Sequence, residues 1–442
     1  MAFKQGFLWG GSVSSMQTEG LLPPDGRGAS IYDDPSILGW GDWTAAIDMY
    51  NRLDSDLELI AELGINCWRT SVSWARVIPE GDGAVNERGL AFYDRYVDGL
   101  IAHGIEPMLC LFHFDTPLAL FRDGGWLNRR TVDAFERYGR LLLEHFAGRV
   151  KYWMPMNEQN ICYTIEQAAR HADPASPSFE QESNQIFHNQ AVASARFFRA
   201  LRELAPDAAG IGMLQGAPYY PLDGTPEDVL AARKAEYHYQ WRLGDVFARG
   251  AYNPAYWRRM EAAGTAPVLE PGDLDDLAQG RPDVLGCSYY QSATVSAAHP
   301  EGVDNPRLPK SEFGWYIDHT GLRVLLDEMY NRYQMPIYVL ESGIGAHEEL
   351  DENGTVEDDY RIDYTRQQIE AVRAAVEEDG VDVGAYLTWG PIDIPSSHGT
   401  MEKRYGFIYV NRTDDDLRDL SRHKKKSFAW YREVCLSNGE RL

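Results

Sequence analysis

The chain predicts an α/β fold, a single (β/α)8 TIM barrel with elaborated βα loops, on three observations. Eight short apolar runs, often β-branched, recur through the 442 residues. Helical patterns separate them. Two of the runs end in a glutamate, placing a carboxylate where a buried strand would meet its following loop. Strand–helix alternation repeated eight times favours a closed parallel barrel, whose chemistry sits at the C-terminal rim. A barrel with insertions reaches this length as one unit, so residues 1–442 are expected to form one domain.

In order, the runs read as strands are Phe7–Ser15, Ile65–Trp74, Glu106–His113, Tyr152–Glu158, Ala209–Gln215, Asp283–Tyr290, Met335–Ser342 and Gly384–Gly390. Between the first two, Leu53, Leu57 and Ile60 recur at helical spacing, and Gly64 is a plausible stop. Arg130–Phe146, Glu182–Leu204 and Tyr360–Glu378 are similarly helical. Polar, Gly/Pro-rich segments at Leu22–Asp42, Gly216–Asp228, Ala297–Asp318 and Gly345–Asp359 read as loops above the barrel. The basic run Arg422–Lys426 reads as the solvated start of a terminal helix.

A net charge of −25 makes nucleic acid and anionic membrane poor partners. No apolar run approaches the roughly 18–20 residues of a spanning helix. The start, MAFKQGFLWGG, lacks the basic, apolar and small-residue regions of a signal peptide. Cys67, Cys110, Cys162, Cys287 and Cys435 are odd in number and widely spread, and no CxxC or HExxH spacing exists. The expectation is a cytoplasmic, reduced enzyme with no metal and no cofactor, acting on a small molecule.

The glutamate-ended runs are Tyr152–Glu158 (YWMPMNE) and Met335–Glu341 (MPIYVLE). Either alone reads equally as a polar strand end. Together they supply what a retaining glycosidase needs, one carboxylate as nucleophile and one as acid/base, about 5–5.5 Å apart. The nucleophile must be ionised, so it needs donors nearby. The acid must hold a proton at neutral pH, which burial and a neighbouring negative charge favour.

Motifs in register over essentially the full length carry a resemblance. They are FLWGGSVSSMQTEG (7–20), WRTSVSWARVIP (68–79), LFHFDTP (111–117), GGWLNR (124–129), MNEQN (156–160), GCSYY (286–290), FGWYID (313–318), LESGIG (340–345) and KRYGFIYV (403–410). This succession resembles glycoside hydrolase family 1, the β-glucosidase and 6-phospho-β-glycosidase family. The resemblance implies Glu158 as acid/base and Glu341 as nucleophile, with Arg69 and Tyr290 orienting Glu341. It implies Gln17, His113 and Asn157 as readers of sugar hydroxyls, and Trp126 and Trp389 as aromatics near the sugar. Taken alone, His113 reads as a core histidine, Gln17 as a loop-capping amide and either tryptophan as core. The family more often has ENG and NEP where this chain has ESG and NEQ, and often Asn where Ser288 stands.

The stretch TWGPIDIPSSHGTMEKRYGF (388–407) discriminates among members. Ordinary β-glucosidases have a Glu-Trp pair seven and eight residues beyond the equivalent of Trp389, and that glutamate reads the 4- and 6-hydroxyls. Here those positions are Ser396 and Ser397. Members acting on 6-phosphorylated sugars have a serine first, then a lysine and a tyrosine that bind phosphate. Ser396, Lys403 and Tyr405 fit that pattern: a carboxylate that would repel a dianion is replaced by a hydroxyl donor. Ser397, where phosphogalactosidases commonly have tryptophan, favours the phosphoglucosidase branch. The resemblance therefore implies a cytosolic 6-phospho-β-glucosidase supplied by a phosphotransferase-type uptake system. A 6-phospho-β-galactosidase, an unphosphorylated-glycoside hydrolase and a non-catalytic sugar-phosphate sensor are the alternatives, and retention of both glutamates argues against the sensor.

Overall fold

Each of the eight apolar runs becomes a parallel strand, and the strands close on themselves in sequence order. They are β1 Leu8–Ser12, β2 Cys67–Ser71, β3 Glu106–Phe112, β4 Tyr152–Met156, β5 Ala209–Gln215, β6 Val284–Tyr289, β7 Ile337–Ser342 and β8 Val383–Trp389. β8 pairs with β1 in the register Leu8↔Ala385 to Ser12↔Trp389, which closes the ring. The computed structural model describes residues 3–21 and 25–442.

Period-two alternation sorts the side chains of each strand into two cores. Leu8, Cys67, Met108, Cys110, Met154, Ile211, Met213, Val284, Leu340, Ala385 and Leu387 form one buried cluster inside the barrel. The intervening residues, such as Trp68, Leu109, Trp153 and Val339, join the larger core between strands and helices. At Gly10 the neighbouring strand comes so close that a Cβ would stand 2.2 Å from the Cys67 carbonyl oxygen. Any side chain there would part β1 from β2.

The helices fall where the periodicity places them, at Met49–Glu62, Arg129–His145, Phe179–Leu204 and Asp359–Glu377. Gly64 has a left-handed φ of +77°, as a stop requires. Among the described residues, no helix is long and apolar enough to cross a membrane.

Two expectations need correction. The Gly216–Asp228 segment is not all loop: Tyr219–Pro221 pairs in parallel with Ala293–Val295, and a helix starts at Pro226. In the expected Leu22–Asp42 loop, residues 22–24 lie outside the described residues. Second, the Arg422–Lys426 run is solvated only in part: Lys424 and Lys426 are exposed, whereas the side chains of Arg422 and Lys425 are buried. Arg422–Lys424 is a short strand paired with Ile408–Val410, and the terminal helix Lys426–Leu436 follows. Lys425 is buried, its Nζ donating to Glu348 and, at 2.9 Å, to Asp393. Arg361 donates to Glu348 at 2.6 Å, and Arg404 to Asp393 at 3.1 Å. The reason is charge balance: two buried carboxylates on the rim loops need cations, and the basic run supplies one.

Burial works against ionised Glu348, but Arg361 and Lys425 outweigh it and hold its pKa down to about 2. A depressed carboxylate stabilises the fold above its ordinary pKa and loses that contribution as pH falls towards 2. Lys425→Met leaves buried charge uncompensated, so it should cost about 3–5 kcal/mol. The acid limb of stability should also begin at higher pH. Urea denaturation at pH 7 and at pH 4 measures both effects.

Candidate active site

The predicted site residues converge at the C-terminal ends of the strands. β2 carries Arg69 into the barrel mouth with 0% exposure. Its guanidinium donates to Oε1 of Glu341 on β7 and to Oδ1 of Asn157, just beyond β4. Tyr290 donates its hydroxyl to the other oxygen of Glu341 at 2.8 Å. Glu341 is thus buried between a cation and a hydroxyl, each donating to one of its carboxyl oxygens.

Glu158 sits differently. β4 ends at Met156, and Glu158 occupies a left-handed backbone conformation, φ +37°, uncommon for a residue with a side chain. Its carbonyl accepts from Ile161 and Cys162, so the chain turns from strand into helix at the glutamate. The predicted strand overran by two residues for this reason. The carboxyl accepts from the Ser288 hydroxyl and is also reached by Gln215, the last residue of β5. Burial, and then the charge of Glu341, push the Glu158 pKa up to about 8, against the opposing effects of Ser288, Arg69 and Gln215. A break in register between Cys287 and Ser288 places Ser288 opposite Glu341 in the β6–β7 pairing. Such irregularities re-aim side chains.

Because Arg69 can only donate, Asn157 Oδ1 must face it, and the amide nitrogen then faces His113 Nε2 at 3.3 Å. The imidazole is therefore an acceptor on that side. Burial, together with the nearby Arg69 charge, holds its pKa well below the usual histidine value. The neutral ring stacks on Trp389 at 5.7 Å between centroids. Gln17 donates to the Pro395 carbonyl at 2.8 Å and accepts from Ser14, which sets it beside the buried Ser396.

Lys403 and Tyr405 come from the loop after β8. The Lys403 ammonium lies 3.3 Å above the centre of the Trp315 ring and 5.6 Å from that of Tyr405. Burial lowers its pKa to about 8. Tyr405 packs edge-on against Tyr290 at 6.4 Å, joining this corner to the Glu341 corner. Among the described residues, no hydrogen bond joins Ser396 to Lys403 or Tyr405.

This arrangement matches known proteins over the whole chain. A sequence profile described as glycosyl hydrolase family 1 matches residues 1–440. The chain belongs to glycosyl hydrolase family 1. It is 40% identical to a 6-phospho-β-glucosidase of Dickeya chrysanthemi, covering 100% of this chain and 99% of that protein. It is 39% identical to the aryl-phospho-β-D-glucosidase BglH of Bacillus subtilis (strain 168), covering 100% and 98%. Among solved structures, the β-glucosidase of Thermotoga maritima in complex with glucoimidazole superposes with a TM-score of 0.88. That match has 31% identity and covers 99% of each chain.

Within this family 1 barrel the structure assembles Glu158, Glu341, Arg69, Tyr290, Asn157, His113 and Trp389 into one contact network. Trp126 is the exception. It lies in a single helical turn with 0% exposure, its ring packed at 5.5–6.3 Å against Phe112, Phe135 and Trp74. The reading of Trp126 as a sugar-facing aromatic is corrected: its ring is enclosed by other rings and serves the core. Sequence reasoning missed Gln215 and Trp315. Gln215 carried the same signal as Glu158, a polar residue ending an apolar strand. Trp315 lies in the FGWYID motif, but nothing in that motif points to Lys403, because only the fold brings the ring over it.

A hydroxyl donating to a carboxylate favours the charged form, so Ser288→Ala should raise the Glu158 pKa further. Titration of 13C-labelled glutamate carboxyls by NMR measures this. An unmoved Glu158 would detach the hydroxyl from its electrostatics.

Proposed function

We propose that this chain is a retaining 6-phospho-β-glucosidase, residues 1–442 acting as one domain on phosphorylated disaccharides or aryl glucosides. The observation that carries the reading is a pair of buried carboxylates in opposite settings. Glu341 is paired with a cation, whereas Glu158 is kept protonated by burial and by that same neighbour. In the first step Glu341 attacks the anomeric carbon while Glu158 protonates the departing oxygen. Once Glu341 is esterified its charge is gone, so Glu158 releases a proton more easily and activates water for the second step.

The substrate class rests on Lys403, which meets aromatic rings and, among the described residues, no carboxylate within 4 Å, on Ser396 in place of a carboxylate, and on relatives named as phospho-β-glucosidases at 38–40% identity. The enzyme then belongs in the cytosol, downstream of a step that phosphorylates the sugar.

Glu341→Ala should abolish turnover, and azide or formate should restore cleavage of an activated aryl substrate with inversion. Chiral product analysis reads the outcome, and wild-type-like activity would remove Glu341 from the mechanism. Glu158 must be protonated to act as acid. With a poor leaving group and no phosphate, kcat/KM should therefore fall as pH rises through about 8.

The decisive experiment compares kcat/KM for aryl β-glucoside, its 6-phosphate and the galacto 6-phosphate. A charge-assisted hydrogen bond contributes roughly 1.5–3 kcal/mol, so Lys403→Ala should cost about 10- to 150-fold on the gluco 6-phosphate and far less on the plain glucoside. A wild-type ratio near one, unchanged in the variant, would leave an ordinary β-glycosidase.

A further inference from the structure

We propose that Phe313, Trp315 and Gly345 form a carboxylate-free clamp that holds the Lys403 ammonium for an incoming 6-phosphate, making these three residues determinants of phosphate selectivity. The inference rests on the phospho-glucosidase reading above.

Among the described residues, Lys403 and Lys234 are the two lysines with no carboxylate within 4 Å, and Lys234 is exposed whereas Lys403 is half-buried. Lys4, Lys151, Lys310, Lys424, Lys425 and Lys426 each sit within 4 Å of a carboxylate. Lys403 instead meets rings: Trp315 at 3.3 Å, Phe313 at 5.2 Å and Tyr405 at 5.6 Å from its Nζ. The acids nearest in sequence are engaged elsewhere. Glu312 accepts from the backbone N–H of His347 at 2.9 Å and from its ring at 3.1 Å, and Glu402 lies 3.9 Å from the same ring. His347 in turn stacks on Phe313 at 4.6 Å.

The chemical difference bears on selectivity. A lysine paired with a carboxylate must give up that pair to bind phosphate, and the abandoned carboxylate then repels the dianion. A π face attracts the ammonium through its quadrupole and carries no net charge to oppose the ligand. Trp315 and Phe313 thus pay part of the cost of desolvating Lys403 without competing for the phosphate.

Gly345 supplies the other jaw. A Cβ on it would stand 2.6 Å from Lys403 Cγ and 2.9 Å from Cε, so the lysine stem lies directly on the glycine backbone. Three rim loops meet here, those following β6, β7 and β8. The Trp315 ring also packs on Tyr290 at 5.3 Å, and Tyr290 holds Glu341. The clamp is therefore continuous with the carboxylate pair.

The test uses full-length enzyme and two aryl β-glucosides with the same aglycone, one 6-phosphorylated. The readout is the ratio of their kcat/KM values, which cancels any effect of Trp315 on the aglycone or on Tyr290. Trp315→Leu and Gly345→Ala should each lower the ratio about 3- to 30-fold, mainly through a higher KM for the phosphorylated substrate. Trp315→Phe, which keeps a π face, should restore most of it. Gly345→Ala probes the stem by a separate route, since its added methyl meets a flexible side chain. If Lys403→Ala loses phosphate preference while both clamp variants keep the wild-type ratio, the clamp is overturned and the phospho-glucosidase reading stands. If wild type shows no preference, both fall.

Discussion

The site is organised around one buried cation. Arg69 lies at the barrel mouth with no exposure, where an unpaired charge would cost several kcal/mol. It is tolerated because Glu341 and Asn157 take its two amino groups. Three consequences follow. Glu341 is held as the counter-charge of a guanidinium. The Asn157 amide has only one workable orientation, which in turn fixes the acceptor side of His113. The negative charge retained on Glu341 adds to burial in keeping a proton on Glu158. One guanidinium therefore sets the state or orientation of four side chains from three strand ends.

Much of this was legible because barrel strands are short, buried and regularly spaced, so their apolar runs stand out against polar loops. The glutamates at the ends of β4 and β7 were legible for the same reason. Boundaries failed where local backbone overrides pattern. Nothing in YWMPMNE announces that the chain turns left-handed at Glu158. Trp126 was misread because a buried aromatic and a sugar-facing one look alike in sequence, and only the surrounding rings separate them. Within the basic run at 422–426, the burial of Arg422 and Lys425 was missed because their partners, Asp56, Glu348 and Asp393, lie at least 30 residues away. Pairings across loops carry no periodicity.

A protein with 67 acidic and 42 basic residues is an unpromising host for a dianion. At physiological salt, however, the Debye length is about 8 Å, so most of the −25 is screened from the site. What remains is the immediate shell. There Lys403 meets aromatic rings and, among the described residues, no carboxylate within 4 Å. Serine stands at 396, and Glu312 and Glu402 are turned to His347. Selectivity for a charged ligand is then compatible with a strongly acidic exterior, because the two act over different distances.

The same distinction explains why two glutamates in one pocket take different roles. Glu341 belongs to a strand, is held by its ladder, and faces Arg69, which can donate but never accept. That shell supports an anion and then an ester, neither of which needs to give up a proton. Glu158 stands in a turn beyond its strand and faces Ser288 and Gln215, each able to donate or accept. A shell of neutral, reversible partners accommodates both the acid and the carboxylate, which is what a group that gives and later takes a proton requires. The division of labour is set by the neighbours: a fixed guanidinium donates to Glu341, while groups that can reverse their hydrogen bonds surround Glu158.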